Sequence, residues 1–250
     1  MIHLTEPEEC ISVIQIDDPK NRNPISENFI KDLSVKARLI NQSQAKVLII
    51  RGLKNIFCAG ATLDFLQQMQ SHYESDVEME IFSYIKNIMA SFSIPVIAAM
   101  EGSAVGGGLT MALFCDIVLA AEESRYGFSF MNMGFTPGMG TTQIAVETFG
   151  YNRAMEMMLT GDTKTGRELQ RQQCSFNYIL PKCDVFPKAM DIARAIAEKP
   201  KVSLKLLKKY LSIKRRSVLE ESTTIEAFMH NISLNNEEVK NSIRENYTGA

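Results

Sequence analysis

The sequence has no tryptophan, few histidines and few cysteines, and these scarcities exclude several classes of protein. Five cysteines are spread over 250 residues without a Cys-x-x-Cys pair, and an odd number cannot all form disulfides. We therefore expect reduced thiols and a cytoplasmic protein. No group of cysteines, histidines and acidic residues has ligand spacing, so the sequence predicts no metal site, and it calls for no cofactor.

Long apolar runs and a strong net charge are missing as well. The longest apolar segments fall well short of the ~20 residues that a membrane span needs. The net charge is −2, which argues against binding of nucleic acid by the molecule as a whole. The N-terminal sequence MIHLTEPEECIS lacks the basic and apolar regions of a signal peptide. We expect a globular protein that binds neither a membrane nor nucleic acid.

One glycine-rich stretch, residues 94–116, combines three features of a binding site. Its sequence, IPVIAAMEGSAVGGGLTMALFCD, predicts a strand, a turn with three consecutive glycines at 106–108, and the start of a helix. The first N–H groups of a helix lack intrahelical acceptors, and glycine lets a ligand approach the backbone closely. The stretch therefore predicts a site for an anion or for a developing oxyanion.

Strands and helices alternate over about the first 160 residues, whereas the last ~90 are helical, which predicts an α/β domain with a helical C-terminal region. We place the division between residues 1–195 and 196–250. The predicted strands are at 10–17, 47–50, 95–100 and 117–121. The predicted helices are one capped by Ser26 that includes Ile40, one from Thr62 or Asp64 to Met69, and those at 74–92, 109–115, 141–150, 152–161, 185–199, 202–213 and 217–243.

Basic residues are concentrated between positions 201 and 216. A charge run of this kind is usually a solvated helix face. The alternative, given about equal weight, is a dock for coenzyme A or an acidic acyl carrier protein. RNA binding is a weaker alternative, because Tyr210 is the single interleaved aromatic residue.

A series of short motifs resembles the enoyl-CoA hydratase/isomerase (crotonase) superfamily. In chain order they are FCAGA at 57–61, IPVIAAMEGSAVGGG at 94–108, CDI at 115–117, YG at 126–127, GFTPGMG at 134–140 and LTG at 159–161. A triple glycine alone would be a weak signal, but the ordered series is specific. The resemblance implies a spiral of ββα units, a C-terminal region for oligomerisation and active-site closure, and a homotrimer.

The resemblance also implies what the glycine stretch binds. In this family two backbone N–H groups stabilise the enolate oxyanion of an acyl thioester, and the matching positions here are Ala61 and Gly107. Removal of one such donor typically raises the barrier by about 3–4 kcal/mol. The alternative is that both residues are small only because the turns are tight, and we expect this to be the minor reason.

Two positions depart from the hydratases of the family. Thr110 and Phe130 stand where those enzymes carry catalytic carboxylates, and neither side chain is a general base near neutral pH. Because addition of water to a double bond needs both a base and an acid, hydratase activity is disfavoured. An isomerase with a single glutamate at position 130 is disfavoured too. The predicted substrate contacts are Phe65, Gln68, Met69, Thr110, Phe130 and Phe135, although some of the aromatic residues are expected to be plain core.

Other motifs resemble the decarboxylases of polyketide β-branching in trans-acyltransferase assembly lines. They are IPVIAAM, GFTPGMG, EKP at 198–200 with Ser203-Leu204, and Met229-His230 with EEVK at 237–240. This resemblance implies loss of CO₂ from a 3-methylglutaconyl group on an acyl carrier protein, giving a 3-methylcrotonyl-type thioester. An acyl-CoA substrate, an enoyl-CoA isomerase or hydratase, and a non-catalytic crotonase-fold binding protein are the alternatives.

His230 is the candidate proton donor, on the strength of the same resemblance. An unperturbed pKa of about 6.5 suits histidine to proton transfer near neutrality. The alternative is a structural histidine paired with Glu226, four residues earlier on the same helix. Some related decarboxylases carry a lysine after the first oxyanion motif. This chain has none there, so Gln68 or backbone groups are expected to bind the substrate carboxylate. Cys58 and Cys115 have no neighbouring base and are interpreted as packing residues.

Overall fold

The computed structural model describes residues 2–62, 64–66 and 79–246. Strands and helices alternate through most of this range. The strands are β1 Ile2–Glu8, β2 Ile11–Ile16, β3 Val47–Arg51, β4 Ile56–Cys58, β5 Val96–Met100, β6 Ser103–Val105, β7 Ile117–Ala121, β8 Arg125–Gly127, β9 Thr163–Thr165 and β10 Tyr178–Leu180. The helices are α1 Glu27–Gln42, α2 Met79–Ser91, α3 Gly107–Leu113, α4 Thr141–Phe149, α5 Tyr151–Thr160, α6 Gly166–Arg171, α7 Lys182–Ala197, α8 Lys201–Leu234 and α9 Glu237–Asn246, with a 3-10 turn at Phe130–Met133.

The strands form two sheets that the chain visits in turn. One sheet has the order β1-β2-β3-β5-β7-β10, and the other has the order β4-β6-β8-β9. Three successive strand pairs, β3-β4, β5-β6 and β7-β8, each give one strand to the first sheet and the next strand to the second sheet, and helical segments follow each pair. The first pair, β1-β2, lies wholly in the first sheet. This arrangement is the spiral of ββα units that the sequence resemblance implied, so the predicted α/β fold is confirmed.

The central strands of the first sheet, β2, β3, β5 and β7, are buried on both faces, which explains their continuous apolar runs. One face packs against helices that include α1, α2 and α3, and the opposite face packs against α7. Every residue of β5 is buried. Between β5 and β6 the chain crosses from one sheet to the other at Gly102, where a Cβ would lie 2.1 Å from the nitrogen of Ile56. Only glycine fits at this crossing.

Most predicted elements are present, and the differences have local causes. The predicted strand at 10–17 is β2, and the two helices predicted on either side of Gly150 are α4 and α5. Residues 74–78 of another predicted helix lie outside the described residues. The strands β1, β4, β6, β8, β9 and β10 were missed. All of them except β1 have three residues each, too few to show a periodic pattern.

The C-terminal helices differ most from the prediction. Two helices were expected at 202–213 and 217–243, but α8 is a single helix of 34 residues that ends at Leu234. The joining sequence SIKRRS has no glycine or proline to interrupt it. The predicted domain division at 195/196 falls within the last turn of α7, and that division stays a prediction. None of the helices in the described part of the chain is long and apolar enough to cross a membrane.

Three basic residues of α8, seven positions apart, bind main-chain carbonyl groups of the α/β domain. Lys201 donates to Ser43 at the end of α1 (2.7 Å), Lys208 donates to Ile94 (2.8 Å), and Arg215 donates to Leu113 at the end of α3 (2.6 Å). Cations at helix C-termini are stabilised by the unpaired carbonyl groups there. Three of the seven basic residues in the run at 201–216, which was predicted to be a solvated face or a carrier dock, therefore anchor α8.

Replacement of Lys208 by methionine should destabilise the fold. Lys208 also pairs with Asp116 (2.7 Å), so its loss removes a donor from the Ile94 carbonyl and an ion pair from Asp116. We expect a loss of about 1–3 kcal/mol in the free energy of unfolding, measured by urea denaturation. The exposed neighbour Lys209 is the matched control, and Lys209→Met should change stability by less than ~0.5 kcal/mol. Equal effects of the two substitutions would contradict this anchoring role.

Candidate active site

Two backbone segments bring Ala61 and Gly107 together. Gly107 is the first residue of α3, so its N–H has no acceptor within the helix. On the other segment, the Ile25 N–H donates to Gly60 O (2.7 Å) and the Thr62 N–H donates to Ile25 O (3.1 Å). A Cβ built on Gly60 would lie 3.7 Å from the Gly107 nitrogen. The residue just before Ala61 therefore adjoins Gly107, as a two-donor oxyanion hole requires.

Asn23 holds the Ile25 segment in place. The side chain of Asn23 is fully buried, and its Nδ2 donates to the carbonyl oxygens of Ile16 (3.1 Å), Ile56 (3.2 Å) and Phe57 (3.1 Å). These bonds connect the turn before Ile25 to the strand ends next to Ala61. No local sequence pattern predicts this role of Asn23, because it depends on carbonyl groups in three other positions, two of them more than 30 residues away.

Thr110 links the glycine turn to a second loop, residues 138–142. The Thr110 hydroxyl is buried, 3.2 Å from Gly106 O and 2.7 Å from the Thr141 hydroxyl. Thr141 Oγ1 in turn donates to Gly138 O. At the position of a hydratase carboxylate, this chain thus has a hydroxyl that is part of the scaffold. The predicted contact of Thr110 with substrate stays a prediction.

An aromatic cluster lines the same region. The rings of Phe130 and Phe135 are 5.9 Å apart in an edge-on arrangement, and the Phe135 and His230 rings are also 5.9 Å apart. A Cβ on Gly106 would lie 4.0 Å from Phe130 Cζ. The cluster therefore extends from the glycine turn to His230 and gives the site an apolar wall. Of the other predicted contacts, Phe65 packs half-buried against the core, and Gln68 and Met69 lie outside the described residues.

The imidazole of His230 lies in this apolar region, fully buried on α8. Burial lowers its pKa to about 4, and a hydrogen bond with the Thr136 backbone opposes the shift. The ring contacts the backbone of Gly138, where a Cβ would be 2.2 Å from His230 Cε1. The alternative pairing with Glu226 is wrong, because the Glu226 carboxylate accepts hydrogen bonds from Gly140 and Thr142 instead. At neutral pH the imidazole is uncharged.

The buried cysteines are poor nucleophiles. Burial raises the pKa of the Cys58 thiol to about 12 and also raises the pKa of Cys115. Both thiols are therefore protonated at neutral pH, in agreement with the packing interpretation. Within residues 2–62, 64–66 and 79–246, no three histidine, cysteine or acidic side chains are grouped so that they could hold a metal ion.

Comparison with known proteins places this site in a family. Residues 6–247 match Enoyl-CoA hydratase/isomerase. The chain belongs to this family. It is 34% identical to the bacillaene synthase decarboxylase PksI of Bacillus subtilis (strain 168) over 248 residues, which cover 99% of this chain and 98% of PksI.

Solved structures of family members have the same fold as this chain, and two similar ones come from polyketide β-branching or from a decarboxylase domain. A structure from a dehydratase/decarboxylase enzyme couple involved in polyketide β-branching matches with a TM-score of 0.91 and 34% identity, over 99% of both chains. The ECH2 decarboxylase domain of CurF from Lyngbya majuscula matches with a TM-score of 0.87 and 31% identity, over 98% of both chains. PksI and the CurF domain are thus named as decarboxylases, and the remaining structure belongs to an enzyme couple that includes a decarboxylase.

His230 should make the stability of this family member depend on pH. Its folded pKa of about 4 lies below the unfolded value of about 6.5. The stabilisation from the neutral imidazole is therefore fully present above pH ~6.5 and is lost as the pH falls toward ~4, since the unfolded chain binds the proton more tightly. Over this window we expect a loss of up to about 3 kcal/mol in wild-type stability.

This pH effect is measured by urea unfolding of the wild type and of His230→Gln at about pH 7 and about pH 4.5. Other groups titrate in both proteins, so the difference between the two losses isolates His230. The wild type should lose more stability than the variant, and identical losses would show that His230 does not carry the effect.

Proposed function

We propose that this protein is a decarboxylase of polyketide β-branching. It acts in the cytoplasm, removes CO₂ from a 3-methylglutaconyl thioester on an acyl carrier protein, and releases a 3-methylcrotonyl-type thioester. One observation carries the proposal: at positions 110 and 130 a scaffold threonine and a phenylalanine replace carboxylates, in an apolar site with a buried histidine. Relatives named as decarboxylases, similar over nearly the whole chain, support it.

The first step is cleavage of the bond between the substrate carboxylate and the adjacent methylene carbon. The electron pair of that bond moves through the double bond to the thioester carbonyl oxygen, which gives a dienolate and CO₂. The N–H groups of Ala61 and Gly107 stabilise the negative charge on that oxygen, as donors aimed at a developing charge do. No water molecule has to be activated, so no pair of carboxylates is needed.

The second step is protonation of the terminal carbon, and His230 supplies the proton. The free imidazole is neutral because it is buried. A substrate carboxylate bound nearby raises the pKa of a histidine, since an opposite charge favours the protonated form. The proton thus becomes available when substrate is bound, and its transfer to carbon restores the neutral imidazole. Gln68 or backbone groups complete the recognition of the carboxylate.

The test is turnover of a 3-methylglutaconyl group loaded on its carrier protein, followed by intact-protein mass spectrometry. The wild type should produce the mass loss of CO₂. His230→Ala should slow turnover by ~10²–10⁴-fold, the usual contribution of a positioned proton donor. The exposed His3 provides the matched control, and His3→Ala should match the wild type.

Two results would count against the proposal. An unchanged carrier mass with the wild type on the correct carrier would exclude the decarboxylase and favour the non-catalytic binding protein. A gain of the mass of water would point instead to the hydratase alternative. Normal turnover by His230→Ala would leave the decarboxylase in place and remove His230 from its mechanism.

We also propose that the active form is a homotrimer in which α8 contributes to the interface between copies. Many apolar side chains of α8 are exposed in the single chain, including Val202, Leu206, Leu207, Tyr210 and Leu211, each at least 58% exposed. Exposed apolar patches of this kind mark interaction sites. The anchored basic side of α8 faces the α/β domain, so the apolar side is free to meet another copy.

Multi-angle light scattering tests the assembly. The wild type should have the mass of three chains, and the double substitution Leu207→Glu/Leu211→Glu should lower it, because two buried charges would oppose the interface. Leu159→Glu, at an exposed leucine on α5, is the control and should leave the mass unchanged. A monomeric wild type would contradict the homotrimer.

A further inference from the structure

Glu226 is a buried carboxylate that binds the start of a different helix. It is 1% exposed and lies on α8, one turn before His230. Its oxygens accept hydrogen bonds from the Gly140 N–H (2.5 Å), the Thr142 N–H (2.8 Å) and the Thr142 hydroxyl (2.7 Å). These groups form the first turn of α4, whose N-cap residue, Gly140, has no side chain to cap it. A carboxylate is favourable there because it meets unpaired N–H groups at the positive end of the helix dipole.

The loop that Glu226 binds contacts both halves of the candidate site. At one end, the Gly138 backbone supports the His230 ring, with space for no side chain between them. At the other end, Met139 adjoins the oxyanion turn, since a Cβ on Gly107 would lie 3.2 Å from Met139 Sδ. The Thr141 hydroxyl joins this loop to Thr110 on α3. A shift of the loop would therefore move His230 and Gly107 relative to each other.

We infer that Glu226 is a positioning residue, which fixes the distance between the His230 imidazole and the Gly107 N–H through the 138–142 loop. The inference rests on the proposed function, in which these two groups act on one substrate. Glu226 is not assigned contact with the substrate, since it is buried and both of its oxygens accept hydrogen bonds from the loop. Its role is to hold α8, which carries His230, against the start of α4.

The surroundings explain why an ionised carboxyl group is suited to this position. Three donors point at the two carboxylate oxygens. A glutamine side chain could not accept from all three, because its amide has a single oxygen. Burial raises the pKa of Glu226, and the hydrogen bonds from Thr142 and Gly140 oppose that shift. The charge of Lys86, itself buried and bonded to Thr223 (2.9 Å), opposes it as well. Aspartate would be one methylene too short to reach the same donors from α8. Substitution should therefore loosen the loop rather than remove a reacting group.

The principal test is the kinetics of Glu226→Gln with the carrier-bound thioester. We expect kcat to fall about 10²-fold, the order of effect that misplacement by ~1 Å has in an active site. KM should stay within about twofold, because the groups that bind substrate are intact. Glu221→Gln, at an exposed glutamate on the same helix, is the matched control and should behave like the wild type. A wild-type kcat in a folded Glu226→Gln variant would overturn the inference.

A double substitution separates positioning from general stability. If Glu226 acts through His230, Glu226→Gln/His230→Ala should be about as slow as His230→Ala alone, because groups that act as a unit are not additive. Multiplied losses would show that Glu226 acts independently of His230. Thr142→Val removes one of the three donors with little change in volume. It should give a smaller fall in kcat, which keeps the test available if Glu226→Gln does not fold.

A measurement without substrate distinguishes failure of this inference from failure of the proposed function. NMR of protein labelled with ¹³C at histidine Cε1 reports on the atom of His230 that packs on Gly138. This signal should move in Glu226→Gln and stay in place in Glu221→Gln. If the wild type decarboxylates no thioester, the signal still decides whether Glu226 positions the ring. An unmoved signal with an active wild type would reject the positioning role and leave the decarboxylase standing.

Discussion

The contact between the His230 ring and the backbone of Gly138 is the constraint on which the candidate site depends. It brings helix α8 to within van der Waals distance of the loop that packs on the oxyanion turn. A side chain at position 138 would separate the two. Glu226, also on α8, binds the other end of this loop through Gly140 and Thr142. Helix α8 therefore contacts both Gly138 and the start of α4. The spacing of the reacting groups is thereby set by a few close backbone contacts.

The apolar character of the site follows from the same packing. Phe130 and Phe135 lie between the glycine turn and His230. The imidazole is neutral at neutral pH because burial lowers its pKa. Thr110 completes the scaffold where a hydratase would need a base. A reaction that releases CO₂ suits such a site, since it requires two N–H donors and one proton but no activated water.

The two sides of helix α8 make different contacts. Lysine and arginine residues seven positions apart bind carbonyl groups of the α/β domain on one side, while apolar residues remain exposed on the other. A run of positive charge in the sequence therefore marks attachment within the chain as well as a solvated surface. The carbonyl acceptors are far away in sequence, so the pattern alone could not distinguish attachment from a docking surface.

The sequence by itself determined the family, the ββα spiral, most of the helices and strands, and the candidates Ala61, Gly107 and His230. These depend on local patterns and ordered motifs, which can be read without knowing the fold. Only the tertiary structure showed that the Thr110 hydroxyl joins the glycine turn to the 138–142 loop, and that His230 is buried and neutral. It also showed that Glu226 binds the start of α4 instead of His230, and that three basic residues anchor α8: Lys201, Lys208 and Arg215. Each of these depends on partners distant in sequence (84 to 86 positions for Glu226), and no local pattern encodes such a partner.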